Sequence, residues 1–182
     1  MSTSLLIIGL GNPGGQYEKT LHNAGALALD RIVSEKGLSW EQAPKNIPAL
    51  IAKSGNAIYA KPTTFMNESG RAVQQLLDFY KLSPSDLIVV HDDIDVPMGE
   101  ARVEENRGAG GHNGVQSIIQ ALGDEKSFRR VRIGVATKRT AQKEGRRRDV
   151  AKIVLKKPDL LQRKAWEAAL TAAVQEIRNA VR

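Results

Sequence analysis

The 182 residues contain no cysteine. Disulfides, thiolate nucleophiles and sulfur-held zinc are therefore excluded, and a reducing compartment is the natural setting. Aromatic residues make up only 4% of the chain, which argues against a platform that stacks the bases of a single strand. No apolar run approaches the roughly 20 residues that span a bilayer, and the segment ahead of Leu5 is too short for a signal peptide. The expectation is a soluble protein without a membrane partner, cytoplasmic or, with a trimmed transit segment, organellar. Excess positive charge is missing from the first two thirds: residues 1–123 hold 10 Lys+Arg against 13 Asp+Glu, and residues 124–182 hold 17 against 7.

What is present fits one core. At 41% hydrophobic, the length suits a single domain over residues 1–182, expected as a monomer. The basic excess is densest at Arg129-Arg130-Val131-Arg132, from Lys138 to Arg148, and at Lys156-Lys157. Such a stripe is the electrostatic footprint of a polyanion, and phosphate contact to nucleic acid is the expected use.

Strand and helix signals alternate along the chain. Leu5–Ile8 reads as a buried strand, followed by a glycine-rich turn and a helix from about Asn23 to Glu35. Ala49–Lys53 and Ala57–Ala60 flank Ser54-Gly55-Asn56 as a hairpin. Asn67 stands where an N-cap would, ahead of a helix bearing Val73, Leu76, Leu77 and Tyr80. Leu87–Val90 is a second core strand with Asp92, Asp93 and Asp95 at its carboxyl end, and Val96 to Val103 adds a bent strand. A helix from Asn113 to Leu122 follows, then the strand Val131–Val135. Ile153–Leu155 reads as a short strand or turn, and Pro158 opens a C-terminal helix with Leu161, Ala165, Ala168, Ala172 and Ile177 along it. The implied fold is α/β, a single-domain twisted, mixed but largely parallel sheet with helices on both faces.

Chemistry-bearing side chains are concentrated in five glycine- or proline-marked segments: G-L-G-N-P-G, T-L-H-N-A-G, K-P-T-T-F-M-N-x-S-G, H-D-D-I-D and G-A-G-G-H-N-G. Gly9, Gly11 and Gly14 match a dinucleotide-binding turn, but Pro13 removes an amide there and the helix starts about ten residues too late. Three aspartates in four positions would suit Mg²⁺, yet no second acidic cluster completes such a site, so no metal is expected. Asp93 and Asp95 read as turn residues and His91 as structural. His22, just before a helix N-terminus, is expected to stay neutral and able to accept a proton. Asn67 and Asn113 can each be a helix cap, a ligand or both.

The five segments, in this order and spacing, resemble bacterial-type peptidyl-tRNA hydrolase from about Leu5 to Gly134. That resemblance implies hydrolysis of the ester joining a peptide to the 3′ adenosine of tRNA. It also implies that Asp92 meets His22 and orients it. Asn12, Asn67 and Asn113 would line the cleft for peptide and adenosine, with Tyr17, Asn23, Met66 and His112 also at the substrate. Arg132 would face the acceptor stem near its 5′ phosphate, with the basic loop Lys138–Arg148 as helper and with Arg107 or Arg102 able to compensate where the chain departs from the family pattern. With no cysteine and no G-x-S-x-G elbow, water activated by His22 is the expected nucleophile, and no cofactor is needed. Two positions depart from the family pattern: Leu21 stands where arginine is usual, and Glu104 where a basic residue is usual. A plant organelle RNA-splicing factor of the same fold is the non-hydrolytic alternative, which the intact His22, Asp92 and asparagines oppose.

Overall fold

The computed structural model describes residues 4–137 and 146–181, so the basic loop expected from Lys138 to Arg148 lies outside the described side chains. Its strands are β1 (Leu5–Gly9), β2 (Glu41–Gln42), β3 (Ala49–Ser54), β4 (Ala57–Pro62), β5 (Leu87–Pro97), β6 (Ala101–Glu105) and β7 (Arg129–Ala136). The helices are α1 (Ala24–Glu35), α2 (Ser69–Tyr80), α3 (Asn113–Ala121), α4 (Arg146–Val154) and α5 (Arg163–Ala180). The strands form one sheet in the order β2-β3-β4-β1-β5-β7-β6. Neighbours run parallel from β4 through β1 and β5 to β7, while β2, β3 and β6 are antiparallel additions at the two edges.

Period-two alternation in the central strands builds two cores at once. Leu6, Ile8, Leu87 and Val89 pack with Val73, Leu76 and Ile118 of α2 and α3, while Ile7, Ile88 and Val90 face Leu29 of α1 and Leu170 and Ile177 of α5. Each fully buried leucine or isoleucine there contributes about 1.5–3 kcal/mol by leaving water. The expected fold class and helices on both faces are thus realised.

Several boundaries differ, each for a local reason. β5 runs past Val90 to Pro97 because β7 keeps pairing with it as far as Asp93, so the acidic cluster lies within the strand. Residues 96–103 are the end of β5, a turn at Gly99 (φ +109°) and β6. Ile153 belongs to α4, where Val150, Ile153 and Val154 recur at helical spacing against the core shared with α1 and α5. The buried stripe of α5 is Trp166, Ala169, Leu170, Ala173, Val174 and Ile177, one position round from the alanines expected, and Leu161 precedes the helix fully exposed. Asn67 falls inside the short 3₁₀ turn Met66–Glu68 and caps nothing. α3 is capped by His112 rather than Asn113.

Candidate active site

The order in which parallel strands are added switches sides at β1, which has β4 on one side and β5 on the other, so the loops at their carboxyl ends converge on one crevice. It is a cleft of about 670 Å³ lined by Asn12 after β1, Met66 and Asn67 after β4, Asp92 on β5, and His112 and Asn113 at the head of α3. His22 reaches it from the 3₁₀ turn Leu21–Asn23 that leads into α1.

His22 Nδ1 lies 2.8 Å from Asp92 Oδ1, across 70 residues of chain. Asp92 is 3% exposed, and the same oxygen lies 2.9 Å from Nε2 of His112. The backbone fixes the proton on His112: its Nδ1 accepts from the amides of Gly114 and Val115 at 3.2 and 3.3 Å, so Nε2 is the nitrogen that donates to the carboxylate. His22 likewise donates from Nδ1, and its Nε2 is left as the proton acceptor. His91, 1% exposed, donates from Nδ1 to the Asp92 carbonyl at 2.7 Å and sits edge-on to the His112 ring.

The electrostatics follow from burial and that shared carboxylate. Burial opposes a charge on His22, but the charge and hydrogen bond of Asp92 outweigh it and raise the ring above its ordinary 6.5. The direction is opposite to that expected from the helix dipole, because a carboxylate at 2.8 Å acts against partial charges one turn away. Burial would push the Asp92 carboxyl up; the imidazoles of His112 and His22 reverse this and hold it far below the carboxylate range. His91 is pushed down to about 3, chiefly by burial and then by His112, and is neutral as its structural reading requires.

Asn12 is aimed by three bonds. Its amide N–H donates to Asn23 Oδ1 at 2.9 Å, its carbonyl accepts from Asn23 Nδ2 at 3.0 Å, and its own Oδ1 accepts from the Met66 amide at 2.8 Å. The side-chain Nδ2 of Asn12 is what remains for a ligand. Asn23 is buried with both ends of its amide spent, so it positions Asn12 rather than touching a substrate. Tyr17 is not in the cleft wall; its backbone closes the Gly14–Thr20 turns instead. Gly9-Leu10-Gly11 is followed by turns and not by helix, with α1 beginning at Ala24, which disposes of the dinucleotide reading.

The arginines depart furthest from expectation. Arg132 is 6% exposed, and its guanidinium donates to Asp93 Oδ2 at 2.7 Å and Glu104 Oε2 at 2.6 Å. Arg107 donates to the other Glu104 oxygen at 2.8 Å. Glu104, facing β7 across the β6–β7 ladder, thus pairs with buried Arg132 and with exposed Arg107, and neither lines the cleft. Asp93 lies within β5 and not in a turn, yet it accepts from the Asp95 amide as expected and is an arginine partner as well.

Phe65, 53% exposed, and the α4 wall of Val150, Ala151, Val154 and Leu155 were not anticipated from sequence. Phe65 lies inside the K-P-T-T-F-M-N segment, directly before Met66, and its place in that segment was the available signal. His22, Asp92 and His112 also form a group of metal-type donors, with ligand atoms within 4.8 Å of one another. Each of those atoms already shares a hydrogen bond with another, so an ion would have to displace the two imidazole protons donated to Asp92.

A carboxylate-steered imidazole beside free amides, at the carboxyl edge of an open α/β sheet, is the site of an enzyme that moves protons. The chain belongs to the peptidyl-tRNA hydrolase family, whose model matches residues 6–182. It is 48% identical over 134 residues to a peptidyl-tRNA hydrolase of Lactobacillus delbrueckii subsp. bulgaricus, covering 71% of each chain. A Desulfitobacterium hafniense peptidyl-tRNA hydrolase is 47% identical over 131 residues, covering 71% of this chain and 70% of that one. The crystal structure of peptidyl-tRNA hydrolase from Acinetobacter baumannii superposes with a TM-score of 0.85 at 29% identity, over 98% of this chain and 88% of that one.

Proposed function

We propose that this chain, acting as a monomer, hydrolyses the ester between a peptide and the 3′ ribose of tRNA, using water activated by His22 without a metal. The observation that carries the reading is the 2.8 Å contact from His22 Nδ1 to Asp92, which leaves Nε2 of a ring lining the cleft as the base. Asp92 is a positioning residue; it holds the tautomer and steadies the imidazolium that forms. The free Nδ2 of Asn12 and the amide of Asn67 are the donors for the oxyanion, while Asn113, Met66 and the exposed ring of Phe65 hold the acyl-adenosine end. A positioned base gives about 10²–10⁴-fold and one oxyanion donor about 10²–10³-fold.

The test is release of labelled peptide from peptidyl-tRNA by purified protein, with and without a chelator. Turnover that survives the chelator is expected. No release, or release that needs an added divalent ion to recover after chelation, would overturn the reading.

Among the described residues no helix is long and apolar enough to cross a membrane. A nucleic-acid substrate is consistent with the basic final third.

A further inference from the structure

A second groove of about 680 Å³ lies between α1 and α5, apart from the cleft that holds His22. Its floor is Leu27, Trp166 and Leu170, and its polar rim is divided into two parts by charge. At one end every acid is matched: Asp30 by Lys61, Glu35 by Arg178 and Glu167 by Arg31. At the other end Lys19, Lys157 and Arg163 are exposed, and among the described residues none of their side chains is bonded to an acid.

Holding three cations together unneutralised costs free energy through their mutual repulsion, although carboxylates sit nearby on the same rim. An anion spanning them relieves that cost. The first-turn backbone of α5 is not that site, because Asp159 accepts from the amides of Gln162 and Arg163 and so occupies it. Side-chain charge alone is on offer, with no deep polar socket for a small anion. This arrangement fits a flexible polymer of phosphates that bridges cations one after another.

The place of the cluster relative to the base is fixed by backbone. The Leu21 amide donates to the Lys156 carbonyl at 2.9 Å, tying the segment after α4 to the turn that carries His22. Lys157 follows that carbonyl, and Lys19 lies three residues before His22, so the cationic end of the groove begins on the far side of the catalytic turn. The two arginines expected to grip RNA are meanwhile drawn into Glu104.

Resting on the functional reading above, we infer that Lys19, Lys157 and Arg163 form a second RNA-binding surface that takes the phosphodiester backbone of the tRNA while its 3′ end lies in the cleft.

The experiment is binding of deacylated tRNA as a function of salt. It compares wild type, the triple variant Lys19→Gln with Lys157→Gln and Arg163→Gln, and a charge-matched control, Lys53→Gln with Lys81→Gln and Lys126→Gln. The control lysines are exposed at the opposite, amino-terminal edge of the parallel strands. Affinity of the groove variant should fall on the order of tenfold at moderate salt, its log–log salt slope should flatten by about 0.7 for each phosphate no longer neutralised, and KM for peptidyl-tRNA should rise. The control should match wild type. An unchanged affinity and slope in the groove variant, or an equal weakening in the control, would overturn the inference. Binding of deacylated tRNA needs no hydrolysis, so failure here is distinct from failure of peptide release.

Discussion

Gly25 in the first turn of α1 lies against the Val90 carbonyl so closely that a Cβ there would stand 2.0 Å from the oxygen. Only hydrogen fits. This approach seats the start of α1 on β5, and it brings His22, three residues before the glycine, to Asp92, two residues beyond the valine.

Gly25→Ala should therefore damage both stability and chemistry. Overpacking of this kind typically costs about 1–3 kcal/mol, and moving the base off Asp92 should lower kcat more than it changes KM. Gly108→Ala, which meets nothing within 4 Å, should leave the melting temperature within experimental error. Thermal unfolding of the two variants side by side is the measurement, and equal behaviour would contradict the packing account.

Arg132 yields a prediction against its expected role. With its guanidinium held between Asp93 and Glu104, Arg132→Ala leaves Asp93 without its arginine and Glu104 with Arg107 alone. A hydrogen bond to a charged group contributes about 1.5–3 kcal/mol, and Arg132 makes two of them to partly exposed carboxylates. A large fall in melting temperature is expected before any RNA is added. Weakened tRNA binding at unchanged stability would instead return Arg132 to the acceptor stem.

The pH dependence has two parts of known sign. His22 has a folded pKa above its ordinary 6.5, so its contribution to stability is fully present below that value and is lost as pH rises through the folded pKa. Asp92 has a depressed folded pKa, so its contribution is present above its ordinary 3.8 and is lost as pH falls through the folded value. Their pairing thus stabilises most between those two ordinary values. The stability gap between wild type and Asp92→Asn, followed by thermal unfolding from about pH 5 to pH 9, should shrink as pH rises. A gap that is flat or widens would show that the ring is not held by this carboxylate. Activity should fall on the acid side as the base protonates, and Asp92→Asn should move that limb to lower pH along with a smaller kcat.

Much of this was legible in the chain because the signals were local. Continuous apolar runs marked β1, β5 and β7, and the five glycine- and proline-marked segments all come to the cleft or its support. His22 and Asp92 could be named, yet their meeting came from family likeness, since nothing local spans 70 residues. The misreadings share a cause, which is dependence on distant partners. The bonds that spend the Asn23 amide come from Asn12, the pairing of Arg132 from Asp93 and from Glu104 one strand away, and the raised pKa of His22 from Asp92. α5 was misphased because an alanine-rich helix offers apolar residues on several faces, and only Trp166 and Leu170 tell which is buried.

The most direct test is single-turnover hydrolysis of peptidyl-tRNA by His22→Ala against wild type, at saturating enzyme and with both shown to be folded. The base assigned here predicts a loss of at least about 10²-fold in rate with tRNA affinity retained. Hydrolysis by the variant at the wild-type rate would contradict it.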